Sequence, residues 1–300
     1  LHNRTHSFPT RRSSDLLNCV ANWRILQESG FKNIFIQPAA GDSGAALGTA
    51  FYLYNSVLKN PRTFTMHHAY WGPSFTDAEI KRALDATGMA YRYVDREEDL
   101  LNETAGMIAE GKVIGWFQGR LEFGPRALGA RSLVADARNP QMKDIINAKV
   151  KFREAFRPFA PSVLKERAHE YFEMPEGMDA PFMLLVPRVR PEMHAVLPAV
   201  THQDGTGRVQ TVTAEHNGRY YRLIRAFAER TGVPVVINTS FNVRGEPIVC
   251  TPRDAINTFV KTGIDAVVMG NFIVTEKPNE VDYAAGMRRS IALEAGSLIS

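Results

Sequence analysis

Cationic side chains recur in three stretches of this sequence that are also rich in glycine, proline and small hydroxyl or amide residues. The stretches are GPRALGARS (residues 124–132), KVKFREAFRPFAPS (149–162) and NTSFNVRGEP (238–247). An arginine on an exposed helix needs no such neighbours, whereas a loop that brings backbone N–H groups and a planar cation to a phosphate does. The three stretches therefore predict a site for a phosphorylated small molecule or a nucleotide.

In the first stretch, Arg126 follows Gly124-Pro125, a rigid kink that fixes the direction of the side chain. A strand predicted at residues 113–118 precedes this segment and delivers it to one end of a sheet. Ligands of α/β proteins commonly bind at such an end. We therefore favour a ligand-binding role for Arg126 and leave open whether Arg131 and Arg138 bind ligand or form surface ion pairs.

In the second stretch, charged and apolar residues alternate. As a strand, it would place Lys149, Lys151 and Arg153 on one face, a basic stripe that suits a polyphosphate. Arg157 precedes Pro158, which favours an extended backbone at Arg157. A solvated charged face is the alternative, although the interspersed phenylalanines and prolines favour a packed, rigid loop.

In the third stretch, an apolar run (VPVVI) leads directly into Asn238, Thr239, Ser240 and Asn242, and Arg244 follows. Hydroxyl and amide groups at the carboxyl end of a strand can bind phosphate oxygens or a ribose, and Arg244 adds charge. The alternative is a turn stabilised by these side chains without a chemical role.

A further cation, Arg208, ends the flexible turn DGTGR (residues 204–208). His202 lies close by, but a lone histidine in a loop is more often structural than catalytic. The sequence has no Gly-x-Ser-x-Gly, no GxxxxGK[ST] loop and no well-spaced Cys/His cluster. The pattern therefore favours activation of a phosphate or nucleotide by positioned cations over covalent catalysis.

The elements that must position these residues alternate between helix and strand. A capping box formed by Thr76 and Glu79 predicts a helix that begins after Thr76, and Thr251 as N-cap with Pro252 at the first helical position predicts a second helix. Other patterns predict helices at residues 22–29, 44–54, 96–110 and 220–231, and strands at residues 33–37, 91–94, 112–118, 182–186, 209–213, 233–238 and 266–274. The irregular spacing of the helices predicts an α/β fold with a mixed sheet.

The composition is that of a globular chain of 300 residues with 44% hydrophobic residues. No apolar run approaches a membrane span and the start lacks a secretory h-region, so we expect a cytoplasmic protein. Residues 1–16 have no hydrophobic period and resemble a translated sequencing adapter, which we interpret as non-native. Without them the net charge falls from +4 to +2, so basicity is weak support for nucleic-acid binding.

Several motifs, taken in order, resemble the carbamoyltransferase family, which includes nodulation-factor and antibiotic O-carbamoyltransferases. They are NCVAN, QPAAGDSGAALG, EFGPRALGARS, KFREAFRPFAPSV, DGTGRVQTV and NTSFNVRGEPIV. The resemblance implies an α/β fold in which a YrdC-like mixed-sheet domain follows a Kae1-like domain of the actin/Hsp70 type. It divides the chain into the end of a Kae1-like domain (17–60), a connector (61–75) and a YrdC-like domain (76–300).

The resemblance also implies a chemistry: carbamoyl-adenylate forms from carbamoyl phosphate and ATP, and its carbamoyl group passes to an acceptor hydroxyl. Arg126, Lys151, Arg157 and Arg208 match positions that hold carbamoyl phosphate and nucleotide phosphates, and the first three are the expected catalytic residues. Asn238, Ser240, Asn242 and Arg244 complete the expected binding site. Asp42 matches a metal-binding aspartate of the Kae1-like domain.

The implied cofactors are ATP with Mg²⁺, and iron or another divalent metal whose other ligands lie outside this chain. The expected partners are carbamoyl phosphate, ATP and a small hydroxyl acceptor, with no membrane or nucleic acid, and a homodimer is left open. We expect that the chain cannot complete carbamoyl transfer because most of the transfer domain is missing. The alternatives are a threonylcarbamoyl-adenylate synthase of tRNA modification, which uses bicarbonate and threonine, and an RNA-binding module.

Overall fold

The computed structural model describes residues 16–31, 33–152 and 157–278. These residues form eight α-helices: α1 (Cys19–Glu28), α2 (Asp42–Phe51), α3 (Asp77–Thr87), α4 (Glu97–Ala109), α5 (Met142–Ile146), α6 (Ala168–Tyr171), α7 (Ala214–Thr231) and α8 (Pro252–Lys261). Helices α2 and α5 continue into π-helical turns at Tyr52–Val57 and Asn147–Lys151, and short 3-10 helices lie at Lys165–Arg167 and Pro191–Met193. Residues 1–16, which we interpret as non-native, lie outside the described residues except for Leu16.

The strands are β1 (Arg92–Tyr93), β2 (Ile114–Phe117), β3 (Arg131–Asp136), β4 (Ala160–Leu164), β5 (Gln210–Val212), β6 (Val235–Ser240), β7 (Ala266–Met269) and β8 (Phe272–Val274). They form one sheet in the order β1-β8-β7-β2-β3-β6-β4-β5. The pairs β2–β7 and β4–β5 are parallel and the other pairs are antiparallel. The prediction of an α/β fold with a mixed sheet is confirmed.

Capping chemistry defines two of the helices, as predicted. The Thr76 hydroxyl accepts from the N–H of Glu79 and the Glu79 carboxylate accepts from the N–H of Thr76, so α3 begins with a complete capping box. Thr251 and Asp254 form the same reciprocal pair at the start of α8. Each box satisfies two backbone donors that a helix start leaves unpaired, which stabilises the helix by about 1 kcal/mol.

The central strands bury both faces of the sheet under helices. On β2 the side chains of Ile114 and Trp116 join a core with α4 and α7, whereas Phe117 joins the opposite core with α3 and α8. This alternation follows from the two-residue period of a strand. Gly115 is required on β2 because a Cβ there would lie 2.6 Å from the Phe241 ring.

The strand directions bring several loops to one edge of the sheet. β3 and β4 both run antiparallel to β6, with Ser132 opposite Ser240 and Ala160 opposite Asn238. β5 runs parallel to β4. The segments that precede β3, β4 and β5 therefore all meet the carboxyl end of β6.

Three strand predictions are wrong. Residues 149–151 belong to the π-helical turn after α5, so Lys149 and Lys151 do not form a strand face, and Arg153 lies outside the described residues. Met142, Ile146 and Val150 are all fully buried at four-residue spacing, and this helical stripe overrides the local alternation. Residues 33–37 and 182–186 are described but belong to no strand; Leu185 makes only an isolated bridge with Val209.

Within the described residues, no helix combines the length and the apolar character that crossing a membrane requires.

Candidate functional site

A cavity of about 390 Å³ lies at the carboxyl end of β6, where the loops before β3, β4 and β5 converge. The first loop contributes Arg126, the second Arg157 and the third Arg208. Asn238 and Ser240 of β6 line the same cavity. The other lining residues are Cys19, Val20, Pro125, Ala127, Pro158, Phe159, Met183, Val186, His202, Asp204, Thr206 and Thr239.

The three arginines come from segments far apart in the sequence, and the sheet topology alone brings them together. Arg126 is half-buried, and burial lowers the pKa of its guanidinium below the usual range. Its Nε is buried and has no hydrogen-bond partner among the described residues. A buried donor of this kind costs free energy until an acceptor reaches it, and an anionic ligand would supply one.

Asn238 is fully buried and takes part in a network whose donors and acceptors can be assigned. The Leu128 carbonyl can only accept, so the Gln210 group 2.7 Å from it is the Nε2 donor. Gln210 Oε1 then accepts from the Ser162 hydroxyl and from Asn238 Nδ2, at 2.6 and 2.8 Å. Asn238 Oδ1 is left buried without a partner among the described residues.

His202 also has an assignable hydrogen-bonding state. The Thr206 hydroxyl donates to the Asp204 carboxylate at 2.7 Å, and hydrogen bonds from Thr206 hold the pKa of that carboxyl below its usual range. His202 Nδ1 lies 3.0 Å from the same hydroxyl oxygen and therefore donates to it. Burial lowers the pKa of His202 to about 4. The ring is thus neutral at pH 7, and the buried Nε2 is an acceptor without a partner among the described residues.

Lys151 is near the site but is not among the residues that line the cavity. It is only 5% exposed, and its ammonium donates to Ser240 O at 2.5 Å, Asn242 Oδ1 at 2.7 Å and Asn242 O at 3.0 Å. Ser240 Oγ donates to Asn242 Oδ1 at 2.7 Å. Lys151 therefore fixes the turn after β6, and its expected contact with ligand stays a prediction.

Two further predicted residues lie outside the cavity. Arg244 is exposed and its Nη1 donates to the Phe152 carbonyl at 2.9 Å. Asp42 is exposed at the first position of α2, and the described residues contain no group of three or more His, Cys, Asp or Glu side chains that could hold a metal ion. A single exposed carboxylate leaves most coordination positions to water, so the described residues do not fit a bound iron.

A second cavity, of about 400 Å³, adjoins the first and shares Pro125 and Ser240 with it. Asn242, Glu122 and residues 246–248 also line it. A third, larger cavity of about 670 Å³ lies between residues 33–36, 65–70, 179–185 and 211–217, away from the arginines. There the His67 and His216 rings stack with centroids 5.3 Å apart.

Glu122 is a buried acid that was not predicted as a site residue. It is 5% exposed, and its Oε1 accepts from the N–H groups of Leu128 and Ala130 at 2.7 Å each, which shapes the GPRALGA loop. Burial raises the pKa of Glu122 above its usual range. Arg131 is fully buried on β3, with its guanidinium 3.6 Å from the Phe117 ring centroid, so it supports the loop from inside the core.

Sequence reasoning also set His202 aside as a structural loop histidine. The signal that could have singled it out is the spacing of His202, Asp204 and Thr206, which allows a local relay of hydrogen bonds. The assignment of the relay needed the folded geometry.

Comparison with known proteins identifies relatives of this chain by sequence. Residues 105–276 match the family model for the carbamoyltransferase C-terminus, and residues 15–51 match that for the carbamoyltransferase N-terminus. Nodulation protein NolNO of Sinorhizobium fredii is 46% identical over 87% of this chain and 38% of its own length. Nodulation protein NolO of Bradyrhizobium diazoefficiens is 45% identical over 89% of this chain and 49% of its own length.

A third relative, the 3'-hydroxymethylcephem-O-carbamoyltransferase of Amycolatopsis lactamdurans, is 36% identical over 85% of this chain and 46% of its own length. The chain thus spans about half the length, or less, of these curated relatives. Among solved structures, P. abyssi Sua5 complexed with L-threonine has a TM-score of 0.43 and 20% identity over 58% of this chain and 47% of that one. The mixed eight-stranded sheet defines the fold class, and the sequence matches define the family. The chain belongs to the carbamoyltransferase family.

Proposed function

We propose that this chain forms carbamoyl-adenylate from carbamoyl phosphate and ATP, for transfer to a hydroxyl of a small-molecule or sugar acceptor. The observation that carries the proposal is the convergence of Arg126, Arg157 and Arg208 on one cavity beside the amide and hydroxyl groups that end β6. Planar guanidinium groups bind phosphate oxygens in pairs, and their charge stabilises the negative charge that builds up when phosphorus–oxygen bonds exchange.

In the proposed reaction, carbamoyl-adenylate forms in two steps, and a third step transfers the carbamoyl group. Water attacks the phosphorus of carbamoyl phosphate, the bond between phosphorus and the bridging oxygen breaks, and carbamate and inorganic phosphate form. A carbamate oxygen then attacks the α-phosphorus of ATP, and pyrophosphate leaves as carbamoyl-adenylate forms. In a later step the acceptor hydroxyl attacks the carbamoyl carbon, AMP leaves, and the hydroxyl proton passes to solvent.

The two adjoining cavities offer separate places for the two substrates. The cavity that Arg126 lines is cationic and suits the phosphate groups, whereas the neighbouring cavity that includes Asn242 extends past the shared residues Pro125 and Ser240. We assign carbamoyl phosphate to the first and the nucleoside end of ATP to the second. ATP would enter as its Mg²⁺ complex. No step is assigned to iron, because Asp42 has no companion ligands among the described residues.

The test is a carbamoyl-phosphate-dependent exchange of labelled pyrophosphate into ATP, because exchange requires reversible adenylate formation without any acceptor. We expect Arg126→Met to lower the exchange rate by about 100-fold, the loss of one charge-assisted contact worth about 3 kcal/mol. The matched control is Arg120→Met, since Arg120 is exposed, donates to the Trp71 carbonyl at 3.2 Å and lies outside the cavity.

Two results would overturn the proposal. One is the absence of exchange in wild-type protein whose thermal unfolding is cooperative. The other is an Arg126→Met rate equal to that of the control. Exchange that required bicarbonate and threonine in place of carbamoyl phosphate would instead identify a threonylcarbamoyl-adenylate synthase.

A further inference from the structure

Two residues that line the cationic cavity each have a buried hydrogen-bond acceptor that a phosphate cannot satisfy. These are His202 Nε2 and Asn238 Oδ1, which have no partner among the described residues. A phosphate group at pH 7 offers oxygens that mainly accept, so it pairs with arginines and leaves both atoms unsatisfied. An unpaired acceptor in a buried site costs free energy and is therefore expected to have a partner in the liganded state.

The assignment of both atoms as acceptors is fixed by groups that can play only one role. At Asn238, the Leu128 carbonyl sets the orientation of Gln210, and Gln210 sets the orientation of the Asn238 amide. At His202, the Asp204 carboxylate takes the only proton of the Thr206 hydroxyl, so His202 Nδ1 must donate to that hydroxyl and Nε2 must accept. Burial keeps the imidazole neutral at pH 7 by lowering its pKa to about 4.

A ligand that satisfies this cavity combines an anionic phosphate end with a group that donates two hydrogen bonds and accepts little. A primary amide nitrogen has two N–H donors and no lone pair for hydrogen bonding. A methyl group has no donor, and the hydroxyl of a bicarbonate-derived group has one.

We propose that His202 Nε2 and Asn238 Oδ1 accept hydrogen bonds from the carbamoyl –NH₂ and so select carbamoyl over acetyl or carboxyl substrates. This inference rests on the proposed function, since it assigns the amide end of the same substrate. Thr206 and Asp204 act through His202 as positioning residues that fix its tautomer.

The test compares two hydrolysis-resistant phosphonates by titration calorimetry of the full chain, with inorganic phosphate as the third ligand. Phosphonoacetamide carries the –NH₂ group, and 2-oxopropylphosphonate is its isostere with a methyl group in that place. We expect the wild-type protein to prefer phosphonoacetamide by at least tenfold, which corresponds to about 1.4 kcal/mol. A site built to pair with N–H groups rejects the isostere because its acceptors then stay unpaired.

The variants separate recognition of the amide from binding of the phosphate. We expect His202→Phe to reduce the preference to less than threefold while the affinity for inorganic phosphate changes by less than twofold. Thr206→Val leaves His202 in place but removes the acceptor for Nδ1–H, so the tautomer is no longer fixed and we expect an intermediate preference. Retained phosphate binding shows in each case that the fold and the arginines are intact.

Equal affinity of the wild-type protein for the two phosphonates would refute the amide assignment even if phosphate binds tightly. A wild-type preference that survives in His202→Phe would refute the role of His202. Failure of all three ligands to bind the wild-type protein would overturn the proposed function itself, and the amide assignment with it.

Discussion

Replacement of Lys151 by methionine distinguishes a lysine that supports the site from one that acts on the ligand. Its ammonium is buried against acceptors of Ser240 and Asn242 at 2.5 to 3.0 Å. A hydrogen bond from a charged donor contributes about 1.5–3 kcal/mol, and in the methionine variant two or three acceptors lose theirs in a buried turn. Allowing for the apolar contacts that methionine gains, we expect the free energy of unfolding to fall by about 3–5 kcal/mol.

The matched control is Lys149→Met, two positions earlier in the same π-helical turn. Lys149 pairs with Asp265 at 2.6 Å, and the two side chains are 30% and 29% exposed. Partial exposure limits the contribution of this pair to about 1 kcal/mol. For a chain of this size, 1 kcal/mol shifts the melting temperature by about 2–4 °C, so Lys151→Met should melt about 10 °C lower than wild type and the control only a few degrees lower.

The assay is thermal unfolding followed by circular dichroism, combined with calorimetric titration of inorganic phosphate. Equal melting temperatures for the two lysine variants would refute the structural role. A Lys151→Met protein that melts like the wild type but no longer binds phosphate would show that Lys151 acts on the ligand, as the sequence predicts.

Other perturbations test the scaffold and the titrating groups. Gly129→Ala should lower the free energy of unfolding by several kcal/mol, because φ is +108° there and the new Cβ would lie 2.2 Å from Tyr220 Cδ1. Gly88→Ala, at φ +67° with no atom within 4 Å, should lower it by only about 1 kcal/mol. Chemical denaturation measures both changes. The pKa of His202 is lower in the folded chain than in the unfolded chain, so the unfolded chain takes up the proton first as the pH is lowered. The free energy of unfolding should therefore fall as the pH drops from about 6.5 to 4, by up to about 1.4 kcal/mol per pH unit. A pH series in which the stability of His202→Phe falls just as steeply would contradict this. The folded pKa of Glu122 is raised, so its contribution to stability should decline as pH rises from the ordinary glutamate pKa to the raised value, and Glu122→Gln should flatten that part of the profile.

Helix starts could be predicted from the sequence because their determinants are local. The capping boxes at Thr76 and Thr251 satisfy backbone donors within four residues of each other, so no distant contact is needed to specify them. The strand that begins within the VPVVI run could also be predicted locally, because Val235, Val236 and Ile237 are consecutive β-branched residues, and all three are fully buried in β6.

The region of residues 142–153 could not be predicted in this way. The alternation from Lys149 to Phe152 is compatible with a strand. In the structure, however, Met142, Ile146 and Val150 form a buried helical stripe, which is stabilised by its packing against the core. Residues 33–37 and 182–186 have the apolar character of strands, but within the described residues their one backbone pairing is the isolated bridge between Leu185 and Val209, so neither forms a ladder. Pairing partners are tertiary information, and strand propensity alone does not supply them.

From the sequence alone, a phosphate-binding chemistry could be predicted, because arginines among glycines, prolines and amides are suited to phosphate whatever the fold. The sequence also determined the family, through motifs that occur in a fixed order. Only the tertiary structure decided which cations share a cavity, because Arg126, Arg157 and Arg208 meet through the directions of β3, β4 and β5 relative to β6. Only the structure shows that Lys151 is buried and donates to the turn after β6. Only the structure shows that His202 Nε2 and Asn238 Oδ1 have no partner among the described residues. Both findings depend on hydrogen bonds between atoms that are distant in the sequence.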